Sequence, residues 1–186
     1  TLNAAGTDAG STSIGSGATL RLQANRSYGS GTSMLGAGTL DLSSGSIGFS
    51  TGATLGLAGT GTLTLSGAVA DFSMGALTLA NGLNITGGSL NGSSDITTAT
   101  AALTGGALNG TGSLTTTGAV SVGDITLSRT WNAQGSTSLT SANIVRFVNG
   151  TINNAGSFNL DGTQTNPLLN NGGTNAFNNT GTLTKT

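Results

Sequence analysis

Six aspartates, Asp8, Asp41, Asp71, Asp95, Asp124 and Asp161, are the only acidic side chains in a chain of 186 residues that contains no Glu, His or Cys. Hydrolysis of a glycosidic bond needs two carboxylates held close together on either side of the sugar. No two of these six fall within twenty residues of each other. Only Asp71, Asp95 and Asp124 have a spacing that neighbouring turns of a repeat could bring together. Aspartate more often closes turns, where its carboxylate accepts backbone hydrogen bonds, and corners are the expected role here. Lyase chemistry calls for a basic residue beside a metal-bound carboxylate. The five cations, Arg21, Arg26, Arg129, Arg146 and Lys185, are scattered, and no Asp-rich calcium loop accompanies them. Serine is plentiful, but no His or placed Lys is present to activate it. Without cysteine there is neither a disulfide framework nor a thiolate metal site. The inventory reads as non-enzymatic, with no cofactor.

Recognition is the remaining chemistry. Tyr28 and Trp131 are the only Tyr and Trp, and each follows two positions behind an arginine. An exposed aromatic next to a guanidinium can stack on a sugar ring. Arg26, Tyr28, Arg129 and Trp131 are therefore the candidate ligand or subunit contacts, on protruding loops where the leucine pattern falters. Packing of the two rings under a loop is the simpler alternative. Six Asn-x-Ser/Thr sequons, at Asn25, Asn84, Asn91, Asn109, Asn149 and Asn178, are about as many as chance gives in a chain this rich in Asn, Ser and Thr. Threonine clusters at 60, 62 and 64, at 115–117 and at 182, 184 and 186 resemble the arrays of ice-binding coils, but they do not recur at one fixed period.

The elements that must position these residues follow from composition and spacing. Gly and Thr contribute 33 residues each, Ser 22 and Asn 18, while only 6% of residues are charged and the net charge is −1. Disordered chains combine low hydrophobicity with high net charge; this one is 35% hydrophobic and regularly patterned. No apolar run is long enough to cross a membrane as a helix. The few cations offer no basic face for nucleic acid. The chain begins at Thr1 without Met and without a signal peptide, as a mature or excised segment of a longer protein would.

Short alternating units recur: ATLRL at 18–22, GTLDL at 38–42, ATLGL at 53–57, GTLTL at 61–65 and ALTL at 76–79. Two leucines two apart mark a strand with one buried face, and the flanking Gly, Asn, Ser and Asp supply turns. Leu77, Ile96 and Leu114 form one series; Leu90, Leu108 and Ile125 a second; Leu83, Leu103 and Val120 a third. Three series sharing one period of roughly 18–20 residues imply three strands per coil. Leu40 to Leu63 and Leu55 to Leu77 give slightly longer coils. After residue 130 the pattern is looser, through Leu139, Phe147, Ile152, Phe158, Leu160, Phe177 and Leu183. Asn-Gly steps at 81–82, 91–92, 109–110, 149–150 and 171–172 suit corners, and Asn91 and Asn109 are spaced to stack their amides. Helix is excluded by the dominance of Gly, Thr, Ser and Asn. A near-constant period favours a coil over an antiparallel sandwich. The expectation is a single all-β domain over 1–186, a right-handed parallel β-helix with roughly 9–10 coils of roughly 18–23 residues, most regular at 77–127.

GTGTLTLSG at 59–67 resembles the repeat associated with autotransporter passenger domains, and GTLTKT at 181–186 is similar to its leading segment. The wider texture resembles filamentous-haemagglutinin-like adhesins. The resemblance implies a right-handed β-helix, export across a bacterial envelope and display at the cell surface. The motif encodes a coil rather than a function. The leading expectation is an extracellular structural or adhesive rod that contacts a surface glycan or host-cell receptor. The alternatives are a fibre subunit stacking end to end with its own kind and, less favoured, a polysaccharide-acting enzyme.

Overall fold

The computed structural model describes residues 1–140 and 142–186. Every described strand pairing is parallel, and each strand pairs with one a full turn away in sequence. The chain is a β-solenoid with three faces. The first face is one nine-stranded sheet: Gly6–Asp8, Arg26–Tyr28, Ser46–Ser50, Val69–Ser73, Ser89–Asn91, Ala107–Leu108, Ile125–Leu127, Val145–Phe147 and Leu168–Asn170. Nine stacked strands enclose about eight turns. At the usual strand spacing they make a rod roughly 40 Å long.

The second face starts as a separate three-stranded sheet of Ser11–Ile14, Ser33–Gly36 and Thr54–Leu57. It resumes in the first halves of the long strands Leu77–Ile85 and Ile96–Leu103, then in Leu114–Thr116, Thr130–Ala133, Thr151–Asn154 and Ala176–Asn179. The third face holds Thr19–Leu22, Thr39–Leu42, Thr62–Leu65, the second halves of the two long strands, Val120–Val122, Ser136–Leu139, Ser157–Leu160 and Thr182–Lys185. The two long strands bend across the corner between these faces. In the first of them the bend is a register shift between Leu79 and Gly82.

Strands are short because corner residues interrupt them. Gly92 (φ 100°) and Gly110 (φ 94°) occupy the left-handed region one turn apart, a conformation that a Cβ disfavours. The expected Asn-Gly corners fall where the chain bends, and Asn149 is the one non-glycine at positive φ among the described residues. A second glycine column, Gly118, Gly135, Gly156 and Gly181, runs along the corner between faces two and three. A Cβ on each of the last three would run into the carbonyl of the glycine one turn earlier.

Inside, alternate residues stack in register: Leu20 on Leu40 on Leu63, and Leu77 on Ile96 on Leu114. The last three pair as the spacing predicts, as do Leu40 and Leu63. Two other series shift by one inward position. Leu108 pairs with Leu127 rather than Ile125, and Leu83 pairs with Ala101, which in turn pairs with Val120. Two aromatic groups fill the wider parts of the core. Tyr28, Phe49 and Phe72 stack nearly parallel, with centroids 4.8 and 5.0 Å apart. Trp131, Phe158 and Phe177 zigzag between faces two and three at 5.8 and 5.3 Å with tilted rings.

Candidate interaction surface

Arg26 and Tyr28 lie on the first face as inward residues of one strand, 8% and 2% exposed. Tyr28 takes the slot that Phe49 and Phe72 fill in later turns. The Arg26 guanidinium reaches Asp8, the Ala4 carbonyl and the Tyr28 hydroxyl, and it covers Gly6. It thus closes the aromatic column on the side of the first turn. The hydrogen bond to Asp8 raises the Arg26 pKa, and burial raises that of Tyr28.

Arg129 and Trp131 are buried as well, at 3% and 0% exposure. Arg129 sits at the short corner between Ile125–Leu127 and Thr130–Ala133. Its Nε donates to Gly112 O (2.8 Å), and its Nη2 donates to Ser94 O (3.1 Å) and Ser113 O (3.4 Å). One side chain therefore ties together corners from three successive turns. Its Nη1 has no partner among the described residues. Burial outweighs the attraction of Asp95 and lowers its pKa to about 10. Trp131 stacks in register between Leu114 and Ile152, and its Nε1 donates to Thr116 Oγ1 at 3.0 Å.

The surface role expected of Arg26, Tyr28, Arg129 and Trp131 is therefore corrected. All four point into the coil, and neither ring offers a face to a sugar. The leucine pattern falters around them because the aromatic itself is the inward residue, not because a loop protrudes.

The aspartates stay apart. Asp95 Oδ1 accepts from the Ser113 amide (2.7 Å) and hydroxyl (2.8 Å) one turn on, which lowers its pKa. Asp124 Oδ1 accepts from the Ile144 amide at 2.7 Å in the same manner. Both are corner acceptors that fasten a turn to its successor. Asp71 accepts from Ser73, on the outside of the first face. Asp41, buried, takes Arg21 Nε at 2.7 Å and Ser66 Oγ at 2.6 Å. No group of three metal-ligating side chains occurs among the described residues.

Much of the surface left to solvent is small polar rows, with Leu2, Leu35, Val69 and Leu183 as exposed large apolar side chains. On the second face the outward residues Thr78, Thr97, Thr115, Asn132, Asn153 and Asn178 lie one above another on successive strands. Asn132 donates to Thr115 Oγ1 (3.3 Å), Asn153 to Asn132 Oδ1 (2.9 Å) and Asn178 to Asn153 Oδ1 (2.8 Å). The amide ladder expected at Asn91 and Asn109 forms here instead. On the third face Thr19, Thr39 and Thr62 align. Outward threonines do stack at the turn period, one per strand rather than as the clusters visible in the sequence, while Thr98 and Thr116 stack inside the coil. An open cleft of about 200 Å³, lined by Phe147, Leu168, Asn170, Asn175, Ala176 and Phe177, lies at the last turn.

No protein-family model, curated protein or solved structure matches this chain. The geometry defines it as a parallel β-solenoid repeat protein, and that is as far as the likeness carries.

Proposed function

We propose that this chain is a non-enzymatic, extracellular or cell-surface rod of the kind bacteria display as passengers and adhesins, with a polar flank that contacts glycans. One observation carries the reading: the outward Thr-Asn row from Thr78 to Asn178. It is a straight line of hydroxyls and amides with spare donors and acceptors, on a rod whose charged side chains are few and mostly engaged in fastening turns. Such a surface suits many weak hydrogen bonds to a long, uncharged sugar polymer, summed along the rod. The passenger-like motif GTGTLTLSG at 59–67 supports export and display.

The test is binding of the purified chain to immobilised neutral polysaccharides and to host cells, followed by the Asn132→Ala/Asn153→Ala double variant. Binding lost in the variant with folding intact supports the reading. Turnover of an acidic polysaccharide that vanishes with Asp124→Asn would replace it with an enzyme.

A second reading is end-to-end assembly into a fibre through apolar side chains at a coil end. Leu183 is 44% exposed there, and Leu168 and Phe177 are only partly covered. Concentration-dependent rods in electron micrographs, shortened by Leu183→Asp, support it; a strict monomer at high concentration eliminates it.

A further inference from the structure

The first and third faces are laddered without interruption, but the second is not. Thr54–Leu57 ends a three-stranded sheet, and no strand pairing links it to Leu77–Leu79 one turn on. The side chains on either side are nevertheless buried: Leu55, Leu57, Leu77 and Leu79 are all at or below 6% exposure. This seam is packed but carries no strand ladder.

The direction of the backbone groups along this seam follows from neighbouring bonds. Thr54 N–H donates backward to Thr32 O, and Leu77 N–H donates forward to Asp95 O. Alternation along a parallel strand then points the amides of Leu55, Leu57 and Thr78 at the seam. On either side the structure supplies substitutes. The Asn81 amide reaches back to the carbonyls of Gly59 and Gly61 at the corner after the seam. Before the seam, Ser46–Ser50 and Val69–Ser73 pair along their whole length on the first face. Thr62–Leu65 pairs with Gly82–Ile85 on the third face. Two intact ladders flank one open face, which is the geometry of a hinge with its pin on the closed faces.

We propose that the rod is hinged at this seam. The part carrying the three-stranded sheet tilts against the rest by opening the second face, with the ladders of the other two faces unbroken. Only four leucines and a water-accessible strand edge change environment, so bending is a local event rather than unfolding.

Amide exchange followed by NMR tests this on the unmodified chain. The amides of Leu55, Leu57 and Thr78 are expected to exchange on the order of tenfold or more faster than those of Thr97 and Thr115, the latter being held in ladders. Methyl relaxation dispersion is expected for Leu55, Leu57, Leu77 and Leu79 but not for Leu103 and Leu108, because opening moves the first group on the μs–ms scale. In a chain free of native cysteine, the Gly56→Cys/Thr78→Cys pair adds a reversible lock across the seam. Oxidation is expected to abolish the dispersion and reduction to restore it. Equal protection at all five amides, or flat dispersion at the seam leucines of the unmodified chain, overturns the hinge. So does dispersion that persists in the locked form.

Discussion

The turns between residues 77 and 127 and those after residue 130 build one coil by different means. The first region has the shorter turns, with Leu90 paired to Leu108 and Leu77 to Ile96. The inward residues there are mostly Leu, Ile, Val and Ala. In the second region the turns lengthen: Leu139 pairs with Leu160, and Asn154 with Asn179. The added positions enter at the corners on both sides of the first face, after Leu139 and at 161–167 and 171–175. A larger perimeter encloses more volume, and aromatics fill it: Trp131, Phe158 and Phe177 instead of stacked leucines. Amides supplement apolar packing there, with Asn154 donating to Asn179 Oδ1 inside the coil and the Asn132–Asn153–Asn178 ladder outside. Tight turns are held by repetition of one aliphatic column. Wide turns are held by a few large, individually placed groups, so single substitutions weigh more there.

Truncation should separate the two regions most. Trp131→Ala is expected to cost roughly 4–5 kcal/mol and Leu103→Ala roughly 3 kcal/mol; urea denaturation of the two variants gives the comparison, and equal losses would remove the distinction between regions. Arg129 stands at the boundary. Arg129→Ala should destabilise by about 2–3 kcal/mol, while Arg129→Met keeps the stem volume and removes the unpaired Nη1, recovering about 1–2 kcal/mol of that loss. Identical midpoints for Ala and Met would mean that the stem contributes nothing. On the outer rows, Asn153→Ala interrupts a ladder and should cost about 1 kcal/mol, against at most about 0.5 kcal/mol for Thr97→Ala; thermal melts resolve that order.

The smallest effect belongs to Asp95, whose carboxylate is exposed. Its folded pKa lies below the ordinary 3.8 because the Ser113 amide and hydroxyl hydrogen-bond the charged form. Its contribution is complete above the unfolded pKa and is lost as pH falls through the folded one. Melting temperature followed from about pH 5 downward should drop slightly less steeply for Asp95→Asn than for the parent chain.

The coil itself was legible in the sequence, since Leu-x-Leu units bounded by Gly and Asn admit few other solutions. Pairing was legible only in part, because each strand offers two inward slots two positions apart and a leucine count cannot choose between them. Ala101 illustrates this: it occupies an inward slot opposite Leu83 that a search for large side chains passes over. The candidate contacts failed for a related reason. An arginine next to an aromatic looks like a surface pair when the surrounding pattern weakens, yet Tyr28 and Trp131 were themselves the missing members of that pattern. The outward Thr-Asn row could be found only after register assigned a face to each residue, since its members are unevenly spaced along the chain and differ in type.

The glycine column from Gly118 to Gly181 sets a rule for how such a chain can evolve. Loops can lengthen at the other two corners, and they do, without disturbing it. A change at this corner that carries any residue but glycine into the column would place a side chain where the preceding carbonyl already sits. Along these turns the unit that can be gained or lost is therefore the complete turn, counted from one corner glycine to the next, whatever the number of residues between them.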